Sequence, residues 1–111
     1  MMRPQTAQEL RVLLIGIFPG FAEACPEEDA QLDATLHSVM RAFTPYFSGN
    51  REALSQRQIK SLAHFINEAV AVDDKLENAV GTCFLEHLRQ VSSYKVLASF
   101  LSRKAKDKTH A

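Results

Sequence analysis

Apolar side chains recur along the chain at the three- and four-residue spacing that places them on one face of a helix. Thr6 and Glu9 have the spacing of a capping box, which predicts a first helix beginning just after Thr6. Pro19 and Gly20 predict its end. The apolar face of this helix is predicted to contain Leu10, Leu13, Leu14 and Ile17.

A second helix is predicted to begin at Pro26, since proline fits the first turn and the acidic residues after it complement the helix dipole. Pro45 is predicted to stop this helix near Phe43, because the residue before a proline disfavours helical backbone. The segment Ser48-Gly49-Asn50 that follows is predicted to be a turn. The predicted apolar face contains Leu32, Leu36, Val39, Met40 and Phe43.

Two more helices are predicted in the second half of the chain. Ser55 and Gln58 form a second capping box, and Asp73 or Asp74 caps the next helix, with Glu77 completing the box. The third helix should bury Ile59, Leu62, Ala63, Phe65, Ile66, Ala69 and Val70. The fourth should bury Leu76, Val80, Cys83, Phe84, Leu88 and Val91.

A fifth helix is predicted to open at Ser92 or Ser93, with Tyr94, Leu97, Phe100 and Leu101 as its apolar positions. No segment alternates apolar and polar residues as a half-buried strand does, and no hairpin signal occurs. The sequence therefore predicts an all-α fold, a compact bundle of about five antiparallel helices, with a short stack of helical hairpins as the alternative. Residues 1–102 are predicted to form one domain, and residues 103–111 a basic, frayed tail.

Composition narrows the class of protein further. The 111 residues are 46% apolar and 23% charged, which is typical of one globular domain, and 13 basic residues balance 13 acidic ones. The balance hides an asymmetry, because residues 1–50 carry a net charge of −3 (3 basic, 6 acidic) and residues 51–111 a net charge of +3 (10 basic, 7 acidic). Zero net charge argues against a global attraction to nucleic acid.

No apolar run is long enough to cross a membrane, and we expect a cytoplasmic protein. The alternative is a cleaved signal in residues 1–24, with Arg3 and Arg11 as its basic region and Ala22-Glu23-Ala24 before Cys25 as a cleavage or lipidation site. Cys25 and Cys83 are both predicted to be thiols, with Cys83 in the core.

Two stretches resemble a small bacterial all-helical domain family of unknown function. The Phe-Pro element near the start is Phe18-Pro19-Gly20-Phe21, and the segment from Leu76 to Leu88 contains Leu-Glu-Asn-Ala-Val followed by Cys-Phe-Leu-Glu-His-Leu. The resemblance implies a single helical domain. It also implies that some relatives act as immunity proteins beside toxins, and it carries over no catalytic residue.

Candidate catalytic and metal-binding groups are sparse. Cys83 and His87 lie one turn apart, but a zinc site needs three or four ligands, so we expect neither a metal nor a cofactor. Two other pairs have the same spacing, Asp33 with His37 and His64 with Glu68. Neither has a nucleophile in an activating turn, and no phosphate-binding glycine loop occurs. We therefore predict that the protein is not an enzyme.

Binding to another protein is the remaining prediction, with a homodimer as one arrangement. The candidate partner-binding residues are Glu27, Glu28, Asp29, Asp33, Phe21 and Phe47. The acidic residues would suit a basic partner, as in an immunity-type inhibitor of a toxin. The aromatic residues are predicted to be core unless Phe21 and Phe47 are exposed together. A small regulatory DNA-binding protein is the other alternative, since Arg57, Gln58 and Lys60 begin the third helix.

Overall fold

The fold was analysed in a computed structural model that describes residues 4–24, 35–72, 74–88 and 94–108. Within these ranges the chain forms helices and no strands, which confirms the all-α class. The longer helices are α1 (Ala7–Ile17), α3 (Leu36–Asn50) and α4 (Gln56–Ala69). The shorter ones are α2 (Phe21–Ala24), α5 (Lys75–Val80), α6 (Glu86–Leu88), α7 (Tyr94–Ala98) and α8 (Arg103–Lys108).

Local capping sets the start of α1 where the sequence predicted it. The backbone N–H of Glu9 donates to the Thr6 hydroxyl oxygen over 3.1 Å, and the Glu9 carboxylate accepts from the N–H of Gln5 over 3.0 Å. Leu10 and Leu14 are fully buried, whereas Leu13 and Ile17 are only partly buried. The helix ends before Pro19 and Gly20, as expected.

The predicted end of the second helix was wrong. The helix α3 continues through Pro45 to Asn50, and the Ser48-Gly49-Asn50 segment is its last turn. Arg41 and Pro45 both lie on the exposed side of the helix, so water can reach the Arg41 carbonyl that the proline leaves without an N–H donor. A short 3₁₀ helix, Arg51–Ala53, follows. The predicted start at Pro26, with Leu32, lies outside the described residues.

The predicted caps at Ser55 and Asp74 are both confirmed. Ser55 and Gln58 form a complete capping box at the start of α4, and every position of its predicted apolar face is buried. Asp74 caps α5, because its carboxylate accepts from the N–H of Glu77 over 3.0 Å. Asp73 and Val91 lie outside the described residues, and so does the side chain of Leu88.

After Val80 the backbone passes without a break into a π-helical turn, Gly81–Leu85, and then into α6. The wider turn shifts the buried face, so Leu85 is fully buried although the regular helical period did not place it there. The Thr44 hydroxyl of α3 lies 2.7 Å from the carbonyl oxygen of Cys83 in this turn and 2.8 Å from that of Met40. Its single hydrogen is shared between the two carbonyls.

The side chain of Asn67 links the C-terminal segment to α4. Asn67 donates from its amide to the Phe100 carbonyl over 3.1 Å and accepts from the N–H of Ser102 over 2.8 Å. Ser102 in turn accepts from the N–H of Ala105, which is fully buried. Helix α8 thus occupies six of the nine residues predicted as a frayed tail. Ser92 and Ser93 lie outside the described residues, as does the side chain of Tyr94.

The core is centred on α3, which packs against α1, α2, α5 and the π-helical turn. The ring of Phe43 lies 5.3 Å from Phe18, 5.2 Å from Phe21 and 5.4 Å from Phe84, between ring centroids. Phe47 contacts Phe84 at 5.6 Å. None of the helices in the described ranges has the length and apolar character needed to cross a membrane.

Candidate functional site

The predicted partner-binding aromatic residues do not form an exposed patch. Phe21 and Phe47 are both fully buried in the cluster around Phe43, which corrects their assignment as contact residues and confirms the interpretation of these rings as core. The predicted acidic contact residues, Glu27, Glu28, Asp29 and Asp33, lie outside the described residues. An acidic docking surface and immunity-type inhibition therefore stay predictions.

The cysteine and histidine pairs give no converging polar site in the part of the chain that the structure describes. Cys83 is a free thiol buried in the core, whereas His87 is exposed at the surface. His64 and Glu68 are both exposed on α4. Across the described ranges, no three His, Cys, Asp or Glu side chains come together in a way that could hold a metal ion. Cys25 and Asp33 are outside those ranges.

An apolar surface on α1 is the feature that the sequence interpretation missed. Val12 is 56% exposed, and the partly buried residues Leu13, Ile15 and Ile17 lie near it on the same helix. Gly16 is exposed and has open space where a side chain would stand. From Val12 onward helix α1 is therefore apolar on its outer side as well as on its core side, whereas Gln8 and Glu9 are exposed in its first half.

Two open grooves border this surface, and Ile17 lines both of them. The first, which we call the N-terminal groove, is lined by Pro4, Gln8, Glu9, Val12, Leu13, Gly16 and Ile17. The second, which we call the α1–α4 groove, is lined by Ile17, Gln56, Arg57, Lys60, Ser61, His64 and Phe65. We call the two grooves together with the exposed apolar residues of helix α1 the α1 face.

One side chain fixes the two helices on either side of the α1–α4 groove. The Gln58 amide nitrogen donates to the carbonyl oxygen of Ile17 over 3.0 Å, at the last residue of α1. The amide oxygen of Gln58 accepts from the N–H of Ser55 over 2.9 Å, which is the capping box bond. The same residue therefore caps α4 and holds the end of α1 against it.

The charge of the α1–α4 groove is positive on one side. Arg57 and Lys60 are exposed on α4, and His64 follows one turn later. The Lys60 ammonium lies 5.7 Å from the centroid of the Phe100 ring, close enough for a cation–π contact. The apolar side of the groove is supplied by Ile17 and the edge of Phe65.

A signal for the α1 face was present in the sequence. Residues 12–17 form an uninterrupted run without a polar side chain, Val-Leu-Leu-Ile-Gly-Ile, which is more than one helix face can bury. The helical period places Leu10, Leu13, Leu14 and Ile17 on the core side of the helix, and the apolar residues Val12 and Ile15 exceed what that side holds.

The fold and this surface define a small all-helical domain with an exposed apolar residue on its first helix. The sequence profile of the family described as "Domain of unknown function (DUF7674)" matches residues 12–109, so the chain belongs to this family. This confirms the resemblance to a small uncharacterised helical domain family. No curated protein and no solved structure matches the chain.

Proposed function

We propose that this domain is a non-enzymatic module that binds another protein through the α1 face. The observation that carries the proposal is the exposure of Val12, 56% of whose surface is open in a helix that also presents partly buried Leu13, Ile15 and Ile17. An exposed apolar side chain beside partly buried ones suits a protein interaction site, because burying them against a partner removes apolar surface from water.

The shape of the grooves favours a macromolecule over a small molecule. Small-molecule sites are concave and cover most of the surface of their ligand. Both grooves of the α1 face are shallow and open to solvent, with volumes near 590 Å³ and 600 Å³. An extended partner surface can cover such grooves from outside, whereas a small molecule would stay largely in water.

A cytoplasmic location fits the same proposal. Cys83 is a free thiol in the core, next to the aromatic cluster. Reducing compartments keep thiols in this state, whereas secreted domains of this size often depend on disulfides.

Site-specific photo-crosslinking tests the proposed surface. A photoreactive amino acid replaces Val12 in the full chain, expressed in the cells that naturally contain it, and crosslinked products are identified by mass spectrometry. Val72 is the matched control position, because it is also a valine and is 50% exposed. We expect a defined protein crosslinked from position 12 and absent from position 72.

The crosslinked protein is then purified and its binding to the full chain measured by calorimetry. A second copy of this chain as the crosslinked product would identify a homodimer, which the proposal includes. Identical products from positions 12 and 72, or no protein product from position 12, would contradict the α1 face as the contact surface.

A further inference from the structure

The α1–α4 groove differs from the rest of the α1 face in its charge. Its apolar lining is Ile17 of α1 and Phe65 of α4, and Arg57, Lys60 and His64 of α4 line it as well. Within the described residues, no carboxylate lines this groove. Among the residues that the structure describes, the N-terminal groove is lined by Glu9 and by no cationic side chain. The two grooves therefore favour different partner groups.

The basic residues that line this groove are periodic. Lys60 and His64 lie three and seven residues after Arg57, so the three residues form one row along the exposed side of α4. The row extends over about two helical turns, or roughly 10 Å. Rows with this spacing are the ridges against which another helix packs.

The width of the groove is fixed by contacts within the fold. Gln58 ties the last residue of α1 to the first turn of α4 over 3.0 Å. Ser55 caps the same turn. A surface that is formed before binding costs less ordering entropy when a partner docks.

We infer that the α1–α4 groove binds an acidic amphipathic helix of the partner protein. Apolar side chains of that helix contact Ile17 and Phe65, and carboxylates on its flank pair with Arg57 and Lys60. This inference rests on the proposed function and adds the chemistry of the partner. Charge complementarity selects the acidic helix, since Arg57 and Lys60 line the groove and none of its described lining residues is acidic. A helix bound in a groove contacts it through side chains at the same three- and four-residue spacing.

Designed peptides test this inference without knowledge of the natural partner. Three fluorescent helical peptides of about 18 residues, roughly 27 Å long, share one leucine face. Their flanking positions are all Glu, all Gln or all Lys. Fluorescence anisotropy measures their affinity for the full chain, and we expect the Glu peptide to bind about tenfold more tightly than the Gln peptide at low salt. Binding of the Lys peptide should be the weakest.

Charge-neutralising variants assign the effect to the groove. Arg57→Gln with Lys60→Gln should lower the affinity for the Glu peptide by about tenfold and change the affinity for the Gln peptide by less than about twofold. Arg57→Gln alone keeps the contact of Lys60 with Phe100 and should lower the affinity for the Glu peptide by about threefold. The matched control is Lys75→Gln with Lys104→Gln, which removes the same charge from exposed positions outside the groove. Circular dichroism checks that each variant is folded.

Several results would overturn the inference. The α1–α4 groove does not select an acidic helix if the Glu and Gln peptides bind equally or if the Lys peptide binds more tightly. The same conclusion follows if the control variant loses as much affinity for the Glu peptide as Arg57→Gln with Lys60→Gln. A third result would assign Arg57 and Lys60 to nucleic acid: the chain binds a random DNA duplex but not the Glu peptide, and Arg57→Gln with Lys60→Gln abolishes the DNA binding. In all these cases a specific crosslink from position 12 would still support the proposed function, so the two failures are distinguishable.

Discussion

Substituting Gln58 by Glu is a test for which local helix rules and the tertiary structure predict changes in stability of opposite sign. A glutamate at the third position of a helix normally stabilises it, since the side chain completes a capping box and its charge favours the positive end of the dipole. In this fold the amide nitrogen of Gln58 also donates to the carbonyl oxygen of Ile17 over 3.0 Å. The substitution Gln58→Glu keeps the acceptor for Ser55 but removes this donor.

The expected cost follows from the lost contact. A hydrogen bond of this kind contributes about 1 kcal/mol, and leaving the half-buried carbonyl without a donor adds about 1 kcal/mol more. The new carboxylate also stands against the negative end of α1, which offsets the favourable charge at the start of α4. We expect Gln58→Glu to lower the free energy of unfolding by about 2 kcal/mol, and the melting temperature by about 8 °C.

Urea denaturation followed by circular dichroism measures this change. The matched control is Gln56→Glu, which makes the same substitution in the first turn of the same helix at an exposed residue. We expect the control to be neutral or to stabilise by up to about 0.5 kcal/mol. A Gln58→Glu variant as stable as the unmodified chain, or more stable, would refute the role of Gln58 in holding α1 against α4.

Three further substitutions test the core and its tight contacts. Phe84→Ala should cost about 3 to 5 kcal/mol in urea denaturation, because the ring is fully buried in the aromatic cluster. Thr44→Val should cost about 1 to 2 kcal/mol, since the Cys83 carbonyl loses its hydroxyl donor at 2.7 Å. Gly20→Ala should cost about 1 to 2 kcal/mol by thermal denaturation, because a Cβ there would stand 2.8 Å from the Tyr46 hydroxyl oxygen.

Each of these has a control in the same chain. Phe84→Leu should lose less than half as much stability as Phe84→Ala, and a loss below about 1 kcal/mol for Phe84→Ala would place the ring outside the core. Thr44→Ser keeps the hydroxyl and should retain most of the stability that Thr44→Val loses. Gly16→Ala meets no atom within 4 Å and lies inside α1, so it should stabilise by about 0.5 to 1 kcal/mol. A stabilising Gly20→Ala would contradict the close packing of Tyr46.

Local signals in the sequence predicted most of the helical framework. The caps at Thr6, Ser55 and Asp74 stand where polar side chains can satisfy the free N–H groups of a first turn, and the structure uses all three. Pro45 was misleading because its effect depends on which side of the helix it occupies. On an exposed side, the carbonyl that it leaves without a donor can be hydrated.

The helical period could predict neither the π-helical turn nor the exposure of Val12 in the α1 face, for different reasons. The turn at Gly81–Leu85 depends on contacts with α3, including the Thr44 hydroxyl, so no spacing within its own helix indicates it. The α1 face depends on how many apolar positions the core can accommodate. A helical period identifies the inward residues, but only the packed fold shows that Val12 remains outside.

The proposal that the α1 face binds a protein is tested most directly by the affinity of the crosslinked, purified partner for two valine variants. Val12→Glu and Val72→Glu place the same charge at exposed valines of similar exposure, 56% and 50%. Calorimetry should show that Val12→Glu weakens binding by about tenfold or more and that Val72→Glu changes it by less than about twofold. Unchanged affinity of Val12→Glu, with the variant folded, would contradict the proposal.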